Sequence, residues 1–387
     1  METILQGGPI SRASVAKLTG LSKQTISEIV RQLESDGWVQ ERGRTSGHVG
    51  RTAVTYELVP AAAFIVAVDL GGTKVRVAIA DLSCRVISEE VAPTDPRGGV
   101  DVITQIAGLC RSAAARKNIA WERVRLAVIG APGAPQDDGR VLLAPNIAHF
   151  DAMDVAAAFE TALGIDVMIE NDVNLAVYGE SWMGNGQGID NLAFIALGTG
   201  IGGGLMVGGE LVRGAGNAAG ELGFLPFGAD PFDPESLRAG ALERVVASAG
   251  IKHRYRELAG EGASVPEIFA RAAAGDVSAT TVLDETARHL ARGIAAICSV
   301  ANPQKVIVGG SIGIRPEIIE RLRLLLPLCV PTAIAVEASA LGPHASIVGA
   351  TAIGLSHLHN SLFGADAPDS HITLPKGRPV SFSERAK

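Results

Sequence analysis

The chain has 387 residues, more than one ordinary hydrophobic core organises, so two or three domains are expected. Hydrophobic residues make up 47% and charged residues 19%, with a net charge of −7, a composition typical of globular proteins. No apolar run reaches the roughly 18 residues of a membrane span, no secretory signal opens the chain, and no CxxC pair occurs, which predicts a cytoplasmic protein with reduced thiols and no membrane partner.

The first predicted elements are two short helices joined by a glycine turn. Residues 11–19 carry apolar side chains at helical spacing, and Ser11 is placed to cap the first turn. Gly20 supplies the turn, and Ser22 can cap a second helix. The apolar positions of the two helices are Val15, Ala16 and Leu18, then Ile26, Ile29, Val30 and Leu33. This pattern predicts a helix-turn-helix, whose second helix presents its N-terminal residues to base edges in the major groove.

An extended hairpin with a basic loop follows the second helix. Gly37 ends the helix, and the chain returns as a strand over residues 53–58. Residues 12–51 hold seven basic and four acidic side chains, a net charge of +3 in an otherwise acidic chain, so phosphate contacts must come from here. A packing domain without a DNA partner is the alternative; the caps, turn and basic wing together favour DNA binding. The candidate DNA contacts are Ser22, Lys23, Gln24, Thr25, Ser27, Arg31, Arg42, Arg44 and Arg51.

A glycine turn between two strands marks the start of the second part of the chain. Residues 64–68 predict a buried strand, residues 74–80 predict a second strand, and Gly71, Gly72 and Thr73 lie between them. Glycines let a backbone approach a phosphate, while Thr73 and Lys74 supply a hydroxyl and a positive charge. Asp69, at the strand end, is placed to hold a metal-bound water. An ordinary hairpin is the alternative for this turn taken alone.

The same arrangement recurs later in the chain. A strand at 194–197 runs into Gly198, Thr199 and Gly200, and a third strand at 306–308 ends at Gly309 and Gly310, which can pack against an adenine ring. Repetition of strand, glycine turn and strand predicts two related lobes with a ligand in the cleft between them.

A polar cluster between the two repeats carries the candidate base. Asn171 and Asp172 follow a strand and open a helix. Asp172 can take a proton from a sugar hydroxyl as a general base. Helix capping is the alternative role for such a cluster.

These motifs resemble the ROK family of repressors and sugar kinases, over about residues 9–358. Residues 69–74 and 198–204 look like its two phosphate motifs. The resemblance implies that Asp172 is the catalytic base of a kinase and that sugar is held by Gly133, Asn171, Asp172, Glu221 and Glu243. It also implies an α/β fold with an N-terminal winged helix-turn-helix and a two-lobed actin-like, ribonuclease H-like ATPase or sugar kinase fold.

The segment after Glu221 departs from the family pattern. The family usually places a histidine after Glu-Leu-Gly, where this chain has Phe224, and then three cysteines that bind zinc. Residues 229–241 contain neither cysteine nor histidine, so no structural zinc is expected. Packing of the proline and phenylalanine residues is expected to fix this loop instead.

The function favoured by these features is a sugar-responsive, DNA-binding transcriptional regulator, most simply a repressor. Its expected partners are double-stranded operator DNA, a small-molecule sugar effector and a second copy, as a homodimer or dimer of dimers. The alternative is an ATP-dependent sugar kinase with a DNA-binding module; ATP and Mg²⁺ are needed only in that case. The expected domains are 1–60 for DNA binding, 64–180 with 346–360 for the first lobe, 181–345 for the second, and a disordered tail from 361 to 387.

Overall fold

The N-terminal module is a winged helix-turn-helix. A computed structural model describes residues 1–44, 53–144 and 147–363 of the chain. The module contains helices α1 (Glu2–Gly7), α2 (Arg12–Thr19) and α3 (Lys23–Ser35), and strands β1 (Ile10–Ser11), β2 (Val39–Arg44) and β3 (Val54–Leu58). The strands form an antiparallel sheet in the order β1-β3-β2.

The predicted helix signals of this module are confirmed. The Ser11 hydroxyl accepts a hydrogen bond from the Ser14 amide and the Ser22 hydroxyl accepts one from the Thr25 amide, while Gly20 has the left-handed conformation that ends α2. The apolar stripe is narrower than predicted, because Ile29 and Leu18 are 42% and 69% exposed. Leu18 in α2 and Ile29 in α3 are thus not covered by any other element among the described residues.

The first lobe is built on a five-stranded sheet in the order β10-β7-β4-β5-β6. Its strands are β4 (Phe64–Leu70), β5 (Lys74–Asp81), β6 (Val86–Pro93), β7 (Val124–Ala131) and β10 (Asp166–Asn171); β8 (Ala134–Pro135) and β9 (Val141–Leu142) form a separate ribbon. The helices are α4 (Gly99–Ala115), α5 (Val155–Leu163) and α6 (Asp172–Met183). Residues 64–68 are buried throughout, as expected for a central strand covered on both faces.

The second lobe repeats this plan, which confirms the predicted internal repeat. Its sheet has the order β13-β12-β11-β14-β15, in which β11 and β12 form an antiparallel hairpin and β14 lies parallel to β11. The strands are β11 (Leu192–Leu197), β12 (Ile201–Val207), β13 (Glu210–Leu211), β14 (Lys305–Gly309) and β15 (Ala335–Ala338). The helices are α7 (Pro234–Ala239), α8 (Glu243–Val246), α9 (Ser248–Ala259), α10 (Val265–Ala273), α11 (Val277–Ala301) and α12 (Pro316–Leu325).

Two helices cross between the lobes with their backbones in contact. Helix α6 begins at the end of β10 and packs on β11 and β12, whereas α13 (Ala345–Phe363) packs on β4, β5 and β7. A Cβ atom added at Gly179 or at Gly349 would come closer than 3.0 Å to backbone of the facing helix. Glycine is therefore required at both positions by the close approach of the two helices.

The N-terminal module rests on the first lobe through the end of α13. The rings of Trp38 and Phe363 meet edge to face, with centroids 5.3 Å apart. Met1, Leu5 and Trp38 pack against a buried cluster that contains Leu58 and Leu358.

The last described helix is longer than the sequence predicts. The helix α13 continues to Phe363, so the prediction of a tail from residue 361 is wrong for residues 361–363, where packing against Trp38 extends the helix. The remaining predicted tail, residues 364–387, and the wing loop 45–52 with Arg51 lie outside the described residues. Within the described ranges, no helix is long and apolar enough to cross a bilayer.

Candidate functional site

The exposed face of α3 carries the predicted DNA contacts. Side chains of Lys23, Gln24 and Arg31 are exposed, and Ser27 is half-buried. The Ser22 and Thr25 hydroxyls hydrogen-bond each other at 2.8 Å, so both fix the start of the helix as well as facing solvent. In the wing, Arg42 is exposed and lies 3.5 Å from Glu57, while the side chain of Arg44, like Arg51, lies outside the described residues.

The first glycine turn is a tight hairpin between β4 and β5. The Gly71 amide donates to the Lys74 carbonyl at 3.0 Å. The Thr94 hydroxyl donates to the Gly71 carbonyl at 2.6 Å, and the Thr94 amide donates to the Thr73 carbonyl at 3.1 Å. Gly72, Thr73 and Lys74 are exposed at the tip. The turn is therefore fixed by Thr94, while its tip is open to a ligand.

The second and third glycine turns lie side by side in the second lobe. Strands β11 and β14 are parallel neighbours in the sheet, and Gly198 and Gly310 directly follow them. Gly310 has a positive φ of 78°. A Cβ atom at Gly198 would lie 3.2 Å from the hydroxyl of Ser311. The fold thus brings together two turns whose glycines, Gly198 and Gly310, are 112 residues apart in sequence.

Asn171 and Asp172 begin helix α6 at the cleft. The Asn171 Oδ1 atom accepts hydrogen bonds from the amides of Val173 and Asn174, and its Nδ2 donates to the Gly133 carbonyl at 2.9 Å. Asn171 therefore caps the helix and fixes the Gly133 loop, and only one Nδ2 hydrogen is left for a ligand. Asp172, the first residue of the helix, is half-buried.

Four carboxyl groups follow one another across the cleft. Burial, together with the negative charges of Asp69 and Glu221, raises the pKa of Asp172 to about 7. Burial, with the charge of Glu243, raises the pKa of Glu221 to about 7. Burial also raises the pKa of Asp69, although the neighbouring hydroxyl of Ser346 and the charge of Arg76 oppose this. Carboxyl groups that are buried and close to one another therefore keep their protons at pH values at which isolated carboxyl groups are ionised.

Glu243 connects the carboxyl groups to the second glycine turn. Its Oε2 atom accepts a hydrogen bond from the Ile201 amide at 3.0 Å, and a Cβ atom at Gly200 would lie 2.6 Å from that oxygen. Burial raises the pKa of Glu243, which the Ile201 amide partly offsets. One glutamate oxygen is therefore committed to the turn, and the other is available to a ligand.

The titration of Asp172 and Glu221 predicts a pH-dependent stability. In the unfolded chain both groups have ordinary pKa values near 4, so the folded state binds more protons between about pH 4 and pH 7. The free energy of unfolding then falls as the pH rises across this window and levels off above it. An Asp172→Asn/Glu221→Gln double variant should melt several degrees above the wild type at pH 8 and close to it at pH 4. Parallel melting curves across this range would contradict the assignment.

The loop that replaces the family's zinc segment is held by an arginine. The Arg244 guanidinium donates to the Asp233 carboxylate at 2.8 Å and to the hydroxyl of Ser236 at 2.7 Å, and Ser236 is buried. Phe232 is 89% exposed, so the expectation that this loop is fixed by phenylalanine packing is wrong.

The residues of this loop do not suit a zinc ion. Asp230 accepts from the Phe232 amide, and Glu235 pairs with Arg238, so the loop's carboxylates are engaged and its thiolates and imidazoles are missing. Within the described ranges, no three His, Cys, Asp or Glu side chains are arranged so that they could hold a metal ion. A zinc-free protein remains a prediction, to be tested by elemental analysis.

Substitution of Arg244 tests the loop directly. An Arg244→Met variant should lower the melting temperature by a few degrees, because a buried hydroxyl and a carboxylate lose their donor. Arg238→Met is the matched control, since the Arg238–Glu235 pair is exposed on both sides and contributes little. Equal melting temperatures for the two variants would show that Arg244 does not hold the loop.

Three contacts between the lobes were not predicted from the sequence. Arg213 of the second lobe forms an ion pair with Glu170 at 2.7 Å, next to Asn171. The Asn217 side chain donates to the Pro135 carbonyl at 2.8 Å, and Gln136 donates to the Gly216 carbonyl at 3.0 Å. Their partners lie 43 to 82 residues away in sequence, and no local pattern marks such pairs.

Comparison with known proteins relates both parts of the chain to characterised families. The model of the ROK family matches residues 65–356, and a winged helix-turn-helix DNA-binding model matches residues 1–40. A putative xylose repressor of Caldicellulosiruptor sp. is 26% identical, over 92% of this chain and 94% of its own length. The glucokinase of Thermotoga maritima is 31% identical, over 75% of this chain and 96% of its own.

A solved structure supports the fold over most of the chain. It is that of a ROK family transcriptional regulator, a homologue of the E. coli MLC protein. The two chains align with a TM-score of 0.71 at 24% identity, over 90% of this chain and 92% of the other. At this identity the likeness concerns the fold.

Proposed function

The chain belongs to the ROK family, and we propose that it is a sugar-responsive transcriptional repressor that binds operator DNA. The alignment with the putative xylose repressor covers 92% of this chain. The part left unaligned is shorter than the N-terminal module, which runs to Leu58, so the likeness extends into that module. The glucokinase alignment covers a smaller share of this chain.

One observation carries the proposal: a single helix touches both the cleft and the DNA-binding module. Ser346, near the start of α13, lies beside Asp69 and the first glycine turn, and its hydroxyl lowers the pKa of Asp69. Phe363, at the end of the described helix, packs on Trp38 directly after the recognition helix α3. At 1.5 Å per residue, this helix spans roughly 28 Å. A change at the cleft therefore has a rigid element through which to reach the module.

The cleft suits a ligand with several hydroxyl groups. Asp172, Glu221 and Glu243 offer carboxylate oxygens that accept hydrogen bonds, and the Gly133 loop is fixed beside them by Asn171. A sugar bound here contacts residues of both lobes and favours one lobe arrangement. Repression responds to sugar only if the sugar binds the DNA-competent and DNA-incompetent states with different affinities.

A symmetric dimer is part of the proposal. Two recognition helices that read half-sites about 34–36 Å apart require paired modules, as in other helix-turn-helix regulators. A homodimer or a dimer of dimers meets this need. Light scattering of the free protein and of its DNA complex measures the stoichiometry.

A DNA-binding assay tests the repressor function. We expect the protein to bind the duplex upstream of its own gene at low salt, and one sugar of a pentose and hexose panel to release it. D-xylose and D-glucose are the first probes, because relatives are a putative xylose repressor and a glucokinase. Failure to bind any such duplex at low salt would remove this function.

The contact between Trp38 and Phe363 yields a separate prediction. A Phe363→Ala variant should bind sugar as the wild type does, but the sugar should release DNA less effectively, because α13 then loses its contact with the module. Leu362→Ala, at a neighbouring and more exposed position, is the control and should respond normally. The comparison uses sugar affinity from thermal shift and DNA release from fluorescence anisotropy. Equal release in all three proteins would show that α13 does not transmit the signal through Phe363.

An ATP-dependent sugar kinase is the second candidate function. It is favoured by the pKa of Asp172, about 7, because a general base works best when its pKa lies near the operating pH. The glycine turns would hold ATP with Mg²⁺, and ATP would supply the phosphoryl group when bound. Asp172 would take the proton from the sugar hydroxyl. ADP release over the sugar panel tests this, and turnover that Asp172→Asn abolishes would establish the kinase.

A further inference from the structure

We propose that Arg12 and Lys23 form a binding site for one phosphate of the DNA backbone. The site is a groove in the N-terminal module, between the start of α2, the first turns of α3 and the wing strand β3. The inference rests on the proposed DNA-binding function and adds Arg12, which is not among the candidate contacts on α3, as a phosphate ligand beside Lys23.

The groove has the size and charge for a phosphodiester. Its volume is 340 Å³, and its lining includes Arg12, Lys23, Ser27, Val54 and Tyr56. Two of these side chains are cationic and none is acidic. Lys23 and Ser27 lie one turn apart on the recognition helix, so the groove borders the face that carries the predicted base contacts. A duplex placed against that face brings its backbone to the groove.

Arg12 is held in place by an aromatic ring. Its guanidinium carbon lies 4.7 Å from the ring centroid of Tyr56, a cation–π contact, and the Tyr56 ring is 3% exposed and therefore a rigid support. A stacked guanidinium keeps its plane fixed, which favours donation of two parallel hydrogen bonds to phosphate oxygens.

The hydrogen-bonding capacity of Arg12 is not used within the described residues. Its Nε atom is buried and has no acceptor there. The nearest carboxylate, that of Glu34, lies at 3.9 Å, too far for a hydrogen bond. A buried donor without an acceptor destabilises the free protein and is satisfied when an anion binds. Phosphate is an acceptor-only anion that suits a fixed arginine and a neighbouring lysine.

Salt-dependent DNA binding tests this site. Each phosphate neutralised by a protein cation contributes about −0.9 to the slope of log K against log salt concentration. We expect Arg12→Gln to make the slope less steep by about 0.9, equally for the upstream duplex and for a duplex of arbitrary sequence, because a phosphate contact carries no sequence information. Lys17→Gln removes the same charge from the exposed side of α2, outside the groove, and should leave the slope near the wild-type value.

Three further measurements separate a lost contact from a damaged module. Arg12→Lys keeps the charge and should retain most of the slope. Lys23→Gln, on the opposite wall and exposed, should reproduce the change seen in Arg12→Gln without loss of the Tyr56 stack. Glu34→Gln removes the competing carboxylate and should strengthen binding to either duplex. The melting temperature of each variant reports whether the module remains folded.

The outcomes distinguish this site from the function on which it rests. If wild-type protein binds neither duplex at low salt, DNA binding itself is wrong, and the site with it. If the wild type binds but Arg12→Gln and Lys23→Gln keep its slope, the DNA-binding function stands and the phosphate site is overturned. A change confined to the upstream duplex would also overturn it, since that result indicates a base contact.

Discussion

Replacement of Gly349 by alanine is expected to lower the free energy of unfolding by about 3 kcal/mol or more. The new Cβ atom would overlap the carbonyl of Leu175, closer than any real Cβ atom lies to a neighbour. The obstacle is helix backbone, which cannot rotate away as a side chain can. Helices α6 and α13 would have to separate, and with them the packing that joins the two lobes.

Gly108→Ala is the matched control for Gly349→Ala. Gly108 also lies inside a helix, α4, but nothing stands within 4 Å of its added Cβ atom. There alanine should stabilise the helix by about 0.5–1 kcal/mol, through its higher helix propensity. Urea denaturation of both variants measures the difference. Similar midpoints for the two would mean that the helices are not in backbone contact.

The second large effect is expected from Glu221→Gln, which should weaken sugar binding about 10- to 100-fold. Hydrogen bonds to a charged acceptor contribute roughly 1.5–3 kcal/mol, and an amide in the same place forms weaker ones. The substitution also removes a negative charge that raises the pKa of Asp172, so that pKa should fall. Sugar affinity should therefore become less dependent on pH between 6 and 8.

Glu235→Gln, an exposed position on α7 outside the cleft, is the control for Glu221→Gln and should bind sugar normally. Isothermal titration at several pH values provides both affinity and proton release. Both variants should bind DNA without sugar as the wild type does. Wild-type sugar affinity in Glu221→Gln would exclude Glu221 from the binding site.

Local chemistry made much of the fold predictable. Ser11 and Ser22 are followed by apolar residues at helical spacing, and the structure places a capped helix after each. The glycine turns after buried strands identified both lobes, because such turns are determined within a few residues of sequence. Asn171 and Asp172 were recognised for the same reason, and the structure shows that Asn171 caps helix α6 and binds the Gly133 carbonyl, while its contact with sugar stays a prediction.

The contacts that join the parts of the molecule were not predictable in this way. The ion pair between Arg213 and Glu170, like the contact between Trp38 and Phe363, joins residues from distant parts of the chain, and neither residue type is unusual where it stands. The role of Arg244 was not predicted either, because the composition of the loop 229–241 shows that cysteine and histidine are absent but not which contacts replace a zinc ion. Ile29 has the helical spacing of a buried residue, but it is exposed because its burial depends on which elements cover α3, and the sequence does not show this.

The central claim is that sugar in the cleft controls DNA binding, and one titration tests it most directly. Fluorescence anisotropy of the upstream duplex, bound to the protein, is followed as D-xylose, D-glucose and the remaining sugars are added. The account predicts that one sugar releases the duplex, with half-release near the concentration at which the same sugar half-saturates the free protein, and that Glu221→Gln shifts this concentration upward about 10- to 100-fold. A sugar that binds the cleft tightly and leaves the DNA affinity unchanged would contradict it.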